Sequence, residues 1–194
     1  MGKTKSPLPV KLFVGILTSL PDIMPQVGRL LAARFGPVDL RSDNYPFDLT
    51  HYYDEEMGSP ITRSFLAFRN LIPADQLAAI KGETNALEAE LALNYRQVRR
   101  PANLDPGYLE ESKIVLASTK NFYHRILMAG GIYGEVTLYF SGGAWQSFPW
   151  SFPDFRSGRY DEIFTRLRQV YRKQLKERSA GECGRVDGIQ QGEE

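Results

Sequence analysis

The feature that most constrains the fold is an apolar run near the N-terminus, from Lys11 to Thr18. Its interior is Leu-Phe-Val-Gly-Ile-Leu, so a strand formed from it presents apolar side chains on both faces. A strand that is apolar on both faces is typical of the buried interior of a sheet rather than of its edge. The run therefore predicts a central strand with a partner strand on each side.

The segments that follow alternate between helix and strand signals. Proline at the first position opens the two helices predicted here, and Gly36-Pro37 ends the first one. In chain order we expect a helix at Pro21–Phe35, a strand at Val38–Tyr45, a long loop at Pro46–Pro60, a strand at Thr62–Arg69, a helix at Pro73–Leu93 and an arginine-rich strand at Arg96–Asn103. The order β-α-β-β-α-β predicts an α+β fold with a ferredoxin-like core, in which both helices lie on one face of an antiparallel sheet.

The next stretch is ambiguous between helix and strand. Asp105-Pro106 predicts a helix start, because Asp is a favoured N-cap and Pro suits the first helical position. The alternative is a strand from Lys113 to Thr119, since Ile114, Val115 and Leu116 form an apolar run too short for periodicity to decide. The helix is favoured, and the strand stays open.

Two glycine pairs predict β-hairpins that extend this sheet or form a second one. Gly130-Gly131 and Gly142-Gly143 suit two-residue turns, because both residues can adopt positive φ. A symmetric first turn places His124 opposite Thr137, and alternation then divides the side chains between two faces. The predicted polar and aromatic face carries His124, Tyr133, Glu135, Thr137, Tyr139 and Gln146; the predicted core face carries Ile132, Val136, Leu138, Phe140 and Trp145.

Composition indicates one globular domain with polar ends. Of 194 residues, 42% are hydrophobic and 24% are charged, which is ordinary for a globular protein. A C-terminal helix is predicted from Tyr160 to Glu177. We expect a single domain over residues 10–178, a disordered N-terminus over residues 1–9, and a disordered tail over residues 179–194, which has hardly any apolar content.

Charge and cysteine content disfavour several classes of protein. The net charge of +1 creates no global attraction to nucleic acid or anionic membranes. Cys183 is the only cysteine, so neither an intrachain disulfide nor a cysteine metal site is expected. Residues 1–9 lack the apolar core of a signal peptide, and no segment is long and apolar enough to span a bilayer. These observations predict a cytoplasmic protein without membrane association.

The common catalytic and nucleotide-binding motifs are missing. The sequence contains no G-x-x-x-x-G-K-[ST] loop, no strand followed by G-x-G-x-x-G, no H-E-x-x-H and no G-x-S-x-G. His51 lies among Asp48, Asp54, Glu55 and Glu56, but such loop clusters are more often solvated acids than metal ligands. No metal site is predicted, and the sequence identifies no cofactor.

Segments spread along the chain nonetheless resemble a known family. They are Pro46-Phe47, Tyr52–Gly58, Asn103–Tyr108, Ala117–Lys120, His124-Arg125, Gly131–Leu138 and Trp150–Arg156. In these segments the chain resembles an uncharacterised bacterial family that is catalogued only as a domain of unknown function, number 4416. The resemblance extends from about Pro9 to Arg178, and it implies no particular chemistry.

The first functional hypothesis is an enzyme or ligand-binding domain that acts on a phosphorylated small molecule or a nucleotide. A histidine beside a carboxylate can move protons near neutral pH, so His124 and Glu135 are the predicted catalytic residues. The predicted ligand-binding residues supply charge or a hydroxyl group near the same face: Asp105, Lys113, Lys120, Arg125, Thr137, Asp154 and Arg156. The expected partner is an anionic small molecule or a nucleotide. Whether the protein is an enzyme, and its oligomeric state, stay open.

The alternative is a module that binds nucleic acid or protein without catalysis. Arg96, Arg99 and Arg100 could hold phosphate, and aromatic residues on a ferredoxin-like sheet can stack on bases. The near-neutral charge and the missing RNA-recognition signature disfavour nucleic acid. A protein-interaction role would use the aromatic loops as its contact surface.

Overall fold

The computed structural model describes residues 2–4 and 6–186, in which nine strands and five α-helices form a mixed α/β fold. The strands are β1 Val10–Thr18, β2 Val38–Arg41, β3 Tyr45–Pro46, β4 Thr62–Ile72, β5 Asn103–Leu109, β6 Lys113–Ser118, β7 Ile126–Ala129, β8 Ile132–Ser141 and β9 Ala144–Ser147. The helices are α1 Met24–Phe35, α2 Asp54–Met57, α3 Leu77–Asn94, α4 Pro153–Arg156 and α5 Asp161–Val186. Short 3-10 turns at Pro21–Ile23 and Ala74–Gln76 precede α1 and α3.

All nine strands belong to one antiparallel sheet. Its order is β2-β4-β1-β5-β6-β8-β7, with β3 also paired to β4 and β9 also paired to β8. Strand β1 pairs with β4 on one side and with β5 on the other, and each of its residues is buried. The predicted interior position of the Lys11–Thr18 strand is therefore confirmed.

Helices cover both faces of the sheet. On one face, Leu31 of α1 and Leu87 of α3 pack with Val14 of β1, so the two predicted helices share a side. On the opposite face, Phe13 of β1 packs with Phe164 of α5 in a second apolar cluster. The two-sided apolar run thus separates two cores, one under α1 and α3 and one under α4 and α5.

The predictions for residues 96–119 are largely wrong. Residues 96–102 form turns and loop rather than a strand, and Asp105-Pro106 lies inside β5 rather than at a helix start. The alternative strand at Lys113–Thr119 is the correct one, since β6 occupies it. A Cβ atom on Gly107 would lie 2.7 Å from the Val115 carbonyl oxygen, so glycine lets β5 and β6 approach. Packing against β1 and β6 outweighs the local capping signal of Asp105-Pro106.

Two other boundaries differ from the sequence predictions. The segment predicted as one strand from Val38 to Tyr45 forms two short strands, β2 and β3. Helix α5 continues to Val186, beyond the end predicted at Glu177. Of the predicted disordered tail, residues 187–194 lie outside the described residues, as do residues 1 and 5 of the predicted disordered N-terminus.

Candidate functional site

A bulge in β8 determines which of its side chains share a face. Val136 and Leu138 oppose consecutive residues of β6, which leaves Thr137 between them as an extra residue. Because the side-chain period of a strand is two, the bulge moves Leu138 to the face opposite that of Ile132 and Val136. Ile132 and Val136 pack near α3, whereas Leu138 packs under α5 together with Phe140 and Trp145. The predicted single core face is therefore wrong.

His124 reaches the sheet from a turn that precedes β7. The strand begins only at Ile126, so His124 is not paired opposite Thr137 as predicted. A second irregularity inside β7 places Ile126 opposite Gly134, whereas a symmetric turn at Gly130-Gly131 would place it opposite Glu135. The contact between His124 and β8 is made by side chains alone.

Three side chains converge on the buried carboxylate of Glu135, and we call this group the Glu135 cluster. His124 Nε2 lies 3.1 Å from Glu135 Oε2, and Arg125 Nε donates to the same oxygen at 2.6 Å. Thr137 Oγ1 donates to the other oxygen, Oε1, at 3.3 Å. The Glu135 side chain is 1% exposed and that of His124 is 7% exposed. His124, Glu135 and Thr137 do lie together, although the predicted register is not the reason.

The segment that follows β9 closes the other side of the Glu135 cluster. The Trp150 ring stacks on His124 at 5.5 Å between centroids, and its Nε1 donates to the Val136 carbonyl at 3.3 Å. Ser151 Oγ donates to the Thr137 carbonyl at 2.5 Å. His124 Nδ1 is buried and has no hydrogen-bond partner among the described residues. Of the two neutral tautomers, the geometry fits the one in which Nε2–H donates to Glu135, because a proton on Nδ1 alone would be buried without an acceptor.

Arg125 links the Glu135 cluster to the turn that carries Lys120. Its Nη1 donates to Ser118 Oγ and to the Lys120 carbonyl oxygen, both at 2.9 Å. The Lys120 ammonium donates to the Tyr52 hydroxyl at 2.5 Å and lies 4.7 Å from the centre of the Tyr52 ring. In the part of the chain that the structure describes, no carboxylate lies within 4.0 Å of this ammonium.

Three further exposed aromatic rings lie close to this lysine in the chain or beside Arg125. Phe122 and Tyr123 follow it in the chain, and their rings lie 4.7 Å apart between centroids. Phe152 lies 5.9 Å from the Arg125 guanidinium, measured to the ring centroid. Lys120 and the exposed rings Tyr52, Phe122, Tyr123 and Phe152 are called the Lys120 surface below.

A second buried ionic group involves two of the predicted ligand-binding carboxylates. Arg63 Nε lies 3.2 Å from Asp154 Oδ2, and its Nη1 lies 3.4 Å from Asp105 Oδ2. The Tyr160 hydroxyl donates to Asp154 at 3.0 Å. The guanidinium also lies 5.6 Å from the ring centre of Phe155. The Asp154 carboxylate therefore pairs with Arg63 and accepts from Tyr160, and it does not reach the Lys120 surface.

Further ion pairs extend from Asp105 toward α3. Asn103 Nδ2 donates to Asp105 at 2.7 Å, and Lys81 Nζ lies 3.8 Å from the same carboxylate. Glu88 lies 3.9 Å from Lys81 and accepts from Arg100 Nη2 at 2.7 Å. Burial raises the pKa of Glu88, and the neighbouring Lys81 and Arg100 oppose that rise. Arg100, predicted as a phosphate ligand, is thus already paired.

The remaining predicted residues lie elsewhere. Lys113 pairs with Glu110 at the beginning of β6, the end opposite Ser118. Arg156 Nη1 donates to the Pro149 carbonyl oxygen at 3.3 Å. His51 Nδ1 lies 2.8 Å from Asp54, and the described residues include no group of three or more His, Cys, Asp or Glu side chains placed to hold a metal ion.

Two residues of the site, Tyr52 and Trp150, were not predicted as site residues, although both lie in segments that resemble the family. Tyr52 belongs to the loop before α2, which has no periodicity to indicate what it covers. Trp150 lies in an irregular segment where an aromatic residue has no predictable orientation. Only the tertiary fold brings Tyr52 to Lys120 and Trp150 to His124.

Comparison with known proteins yields one match. A family model described as "Domain of unknown function (DUF4416)" matches residues 8–171 of the 194-residue chain, which confirms the resemblance predicted from the sequence. No curated protein and no solved structure matches the chain. Among the described residues, no helix is long and apolar enough to cross a membrane.

Proposed function

This chain belongs to the DUF4416 family, and we propose that it binds an anionic small molecule, a nucleotide or a phosphorylated metabolite, at the Lys120 surface. The observation that carries the proposal is the Lys120 ammonium, which is exposed and has no carboxylate within 4.0 Å in the described part of the chain. A cation without a carboxylate partner can pair with phosphate without first giving up an ion pair.

The division of roles between the two cations supports this proposal. The Arg125 guanidinium is bound to Glu135 and to the Lys120 carbonyl, so it positions the turn instead of serving as a free charge. Lys120 projects from the turn that Arg125 holds, and its ammonium lies over the Tyr52 ring. A preorganised cation loses less conformational entropy on binding an anion than a freely rotating one.

The exposed rings favour a ligand that contains a planar group. Tyr52 lies beside Lys120 and Phe152 beside Arg125, and Phe122 and Tyr123 are exposed on the segment between these two cations. Stacking of a base on an aromatic side chain contributes about 1–3 kcal/mol. A nucleotide combines a planar base with phosphate, so it matches the rings and the ammonium together.

The Glu135 cluster supports binding better than proton transfer. Its carboxylate accepts from both Arg125 and His124 and is almost fully buried. Both oxygens of this carboxylate already accept hydrogen bonds inside the protein, Oε2 from Arg125 and His124 and Oε1 from Thr137. Catalytic roles for His124 and Glu135 accordingly stay predictions, and we propose that the cluster holds the Lys120 turn in place.

The test is a thermal-shift screen of the full chain with ATP, GTP, AMP and glucose 6-phosphate. At a ligand concentration of about 100 times Kd, binding should stabilise the wild type by roughly 2.7 kcal/mol. Lys120→Ala should abolish the shift, and Tyr52→Leu should reduce it for nucleotides. The matched control is Lys173→Ala, which removes an exposed lysine of α5 that lies 3.8 Å from Glu177. A shift that persists undiminished in Lys120→Ala, or no shift with any of these compounds, would contradict the proposal.

Two finer proposals accompany this one. The order β2-β4-β1-β5, with α1 and α3 on one face, supports a ferredoxin-like core that β6 to β9 extend. The cytoplasmic location rests on the sequence and is tested by fractionation of cells that express the protein.

A further inference from the structure

An open groove lies between α2, the end of α3 and the segment that follows α3. Its volume is about 650 Å³, within the range of roughly 300–1,000 Å³ that ligand sites occupy. It is lined by Asp54, Glu55, Glu56, Gly58, Ala92, Leu93, Arg96, Gln97, Val98 and Arg99. None of these residues belongs to the Lys120 surface.

The two walls of the groove are joined by Arg100. Its backbone N–H donates to the Glu56 carbonyl at 2.9 Å, and its Nη1 lies 3.8 Å from the Glu56 carboxylate. Arg100 is itself anchored by Glu88 of α3. The groove is therefore attached to the folded core through a chain of polar contacts.

The walls carry opposite charges that do not pair with each other. Arg96 and Arg99 are exposed on one wall, and Glu55 is exposed on the other. Within the described part of the chain, none of the three has an oppositely charged group within 4.0 Å. Leu93 adds an apolar contact point, because it is 73% exposed at the end of α3.

We propose that this groove binds a peptide segment of a partner protein that carries charges of both signs around an apolar side chain. Acidic side chains of the peptide pair with Arg96 and Arg99, since guanidinium groups bind carboxylates through two parallel hydrogen bonds. An apolar side chain packs on Leu93, and a basic side chain meets Glu55. Each unpaired charge of the groove then gains a partner.

The charges favour peptide over nucleic acid. Asp54, Glu55 and Glu56 line one wall, and they would repel a phosphodiester backbone, which carries only negative charge. No lining residue is aromatic, so the groove offers no ring on which a base could stack. A peptide can present acidic residues to one wall and a basic residue to the other.

The experiment selects peptides from a phage-displayed random dodecapeptide library against the full-length protein. Enriched peptides, synthesised with fluorescein and measured by fluorescence anisotropy, should contain acidic residues beside an apolar one. The double variant Arg96→Ala, Arg99→Ala should weaken their binding by at least about tenfold, and Leu93→Ser should also weaken it. Arg34→Ala is the control, since it removes an exposed arginine of α1 that lies 3.7 Å from Glu83. All substituted side chains are exposed, so circular dichroism should show unchanged folding.

Reversing the charge at position 96 tests the proposal by a change in the selected peptide sequences rather than by a loss of affinity. Arg96→Glu should select peptides in which a basic residue replaces one of the acidic ones. Enrichment of the same peptides on the double variant, or no enrichment at all, would overturn the proposal. Binding of a fluorescein-labelled uridine oligonucleotide that the double variant abolishes would assign the groove to nucleic acid instead. Lys120→Ala should leave peptide binding unchanged, which separates this site from the proposed small-molecule site.

Discussion

Replacing Asp154 by asparagine tests whether the buried ions around Arg63 stabilise the fold. Both side chains are almost fully buried, with Arg63 6% exposed and Asp154 3% exposed. Asparagine preserves the volume and can still accept the hydrogen bond from Tyr160, so the substitution removes mainly the charge. Arg63 would then depend on Asp105, whose carboxylate lies 3.4 Å away.

The expected loss follows from this geometry. Removing one partner of a buried ion pair costs about 3–5 kcal/mol, because the other charge stays buried without compensation. The remaining Asp105 carboxylate and the Tyr160 hydrogen bond both reduce the loss of stability, so we expect a decrease in unfolding free energy of about 3 kcal/mol, the lower end of this range. For a chain of this length, that loss corresponds to a Tm decrease of roughly 6–12 °C.

Urea unfolding at pH 7, followed by tryptophan fluorescence, measures the change. The control is Glu111→Gln, which removes an ion pair with Arg172 at 3.0 Å whose two side chains are about half exposed. This pair is shorter than the 3.2 Å contact between Arg63 and Asp154, yet it should contribute less than about 1 kcal/mol, because solvent screens it. A loss below about 1 kcal/mol for Asp154→Asn, or equal losses for the two variants, would refute the claim that burial decides the magnitude.

Two further substitutions test packing and pH dependence. Gly107→Ala should destabilise the protein by about 1–3 kcal/mol, because the added Cβ would lie 2.7 Å from the Val115 carbonyl oxygen. The control is Gly82→Ala on α3, where a Cβ would have nothing within 4 Å, so this variant should be neutral or stabilising by up to about 1 kcal/mol. Similar Tm values for the two variants would contradict this reasoning. Burial raises the folded-state pKa of Glu88 above its ordinary value of 4.5, so the folded state binds a proton at a higher pH than the unfolded chain does. Wild type should therefore gain stability relative to Glu88→Gln as the pH falls from about 7 toward 4.5, and urea titrations that show the opposite slope would contradict the raised pKa.

The sequence predicted the elements whose signal is local and missed those that tertiary pairing decides. The two-sided apolar pattern of β1 and the glycine pairs at 130–131 and 142–143 gave the central strand and both hairpins. Strand β5 was missed because Asp105-Pro106 carries the same local signal as a helix start. The pairing of β5 with β6 begins only at Gly107, so Pro106, which lacks an N–H, precedes that ladder.

The candidate site was predicted in part, and for a reason that proved wrong. A symmetric hairpin register predicted that His124, Glu135 and Thr137 share one face. In the structure they lie together because the side chain of His124, which belongs to the turn before β7, contacts Glu135, and Glu135 accepts from Thr137. The bulge at Thr137 has no sequence signature, because the extra residue of a bulge need not be glycine or proline. Tyr52 could not be assigned to Lys120, since the two residues are 68 apart in the chain and only the tertiary fold brings them together.

Gly15, inside the central strand, explains why two predicted ligand-binding residues, Asp105 and Asp154, pair with Arg63 in the interior of the protein. Gly15 pairs with Asp105 on β5, and a Cβ atom at this position would lie 3.0 Å from Arg63 Nη1. The missing side chain leaves space for the guanidinium on the face that α4 and α5 cover, where Asp105 and Asp154 neutralise it. Gly15 therefore interrupts the apolar run of β1 where the sheet accommodates the buried Arg63 guanidinium. Because Asp105 and Asp154 both pair with this guanidinium, a structural role is favoured for both carboxylates. Lys120 differs in being exposed and in having no carboxylate nearby in the described chain, so its charge is available to a ligand.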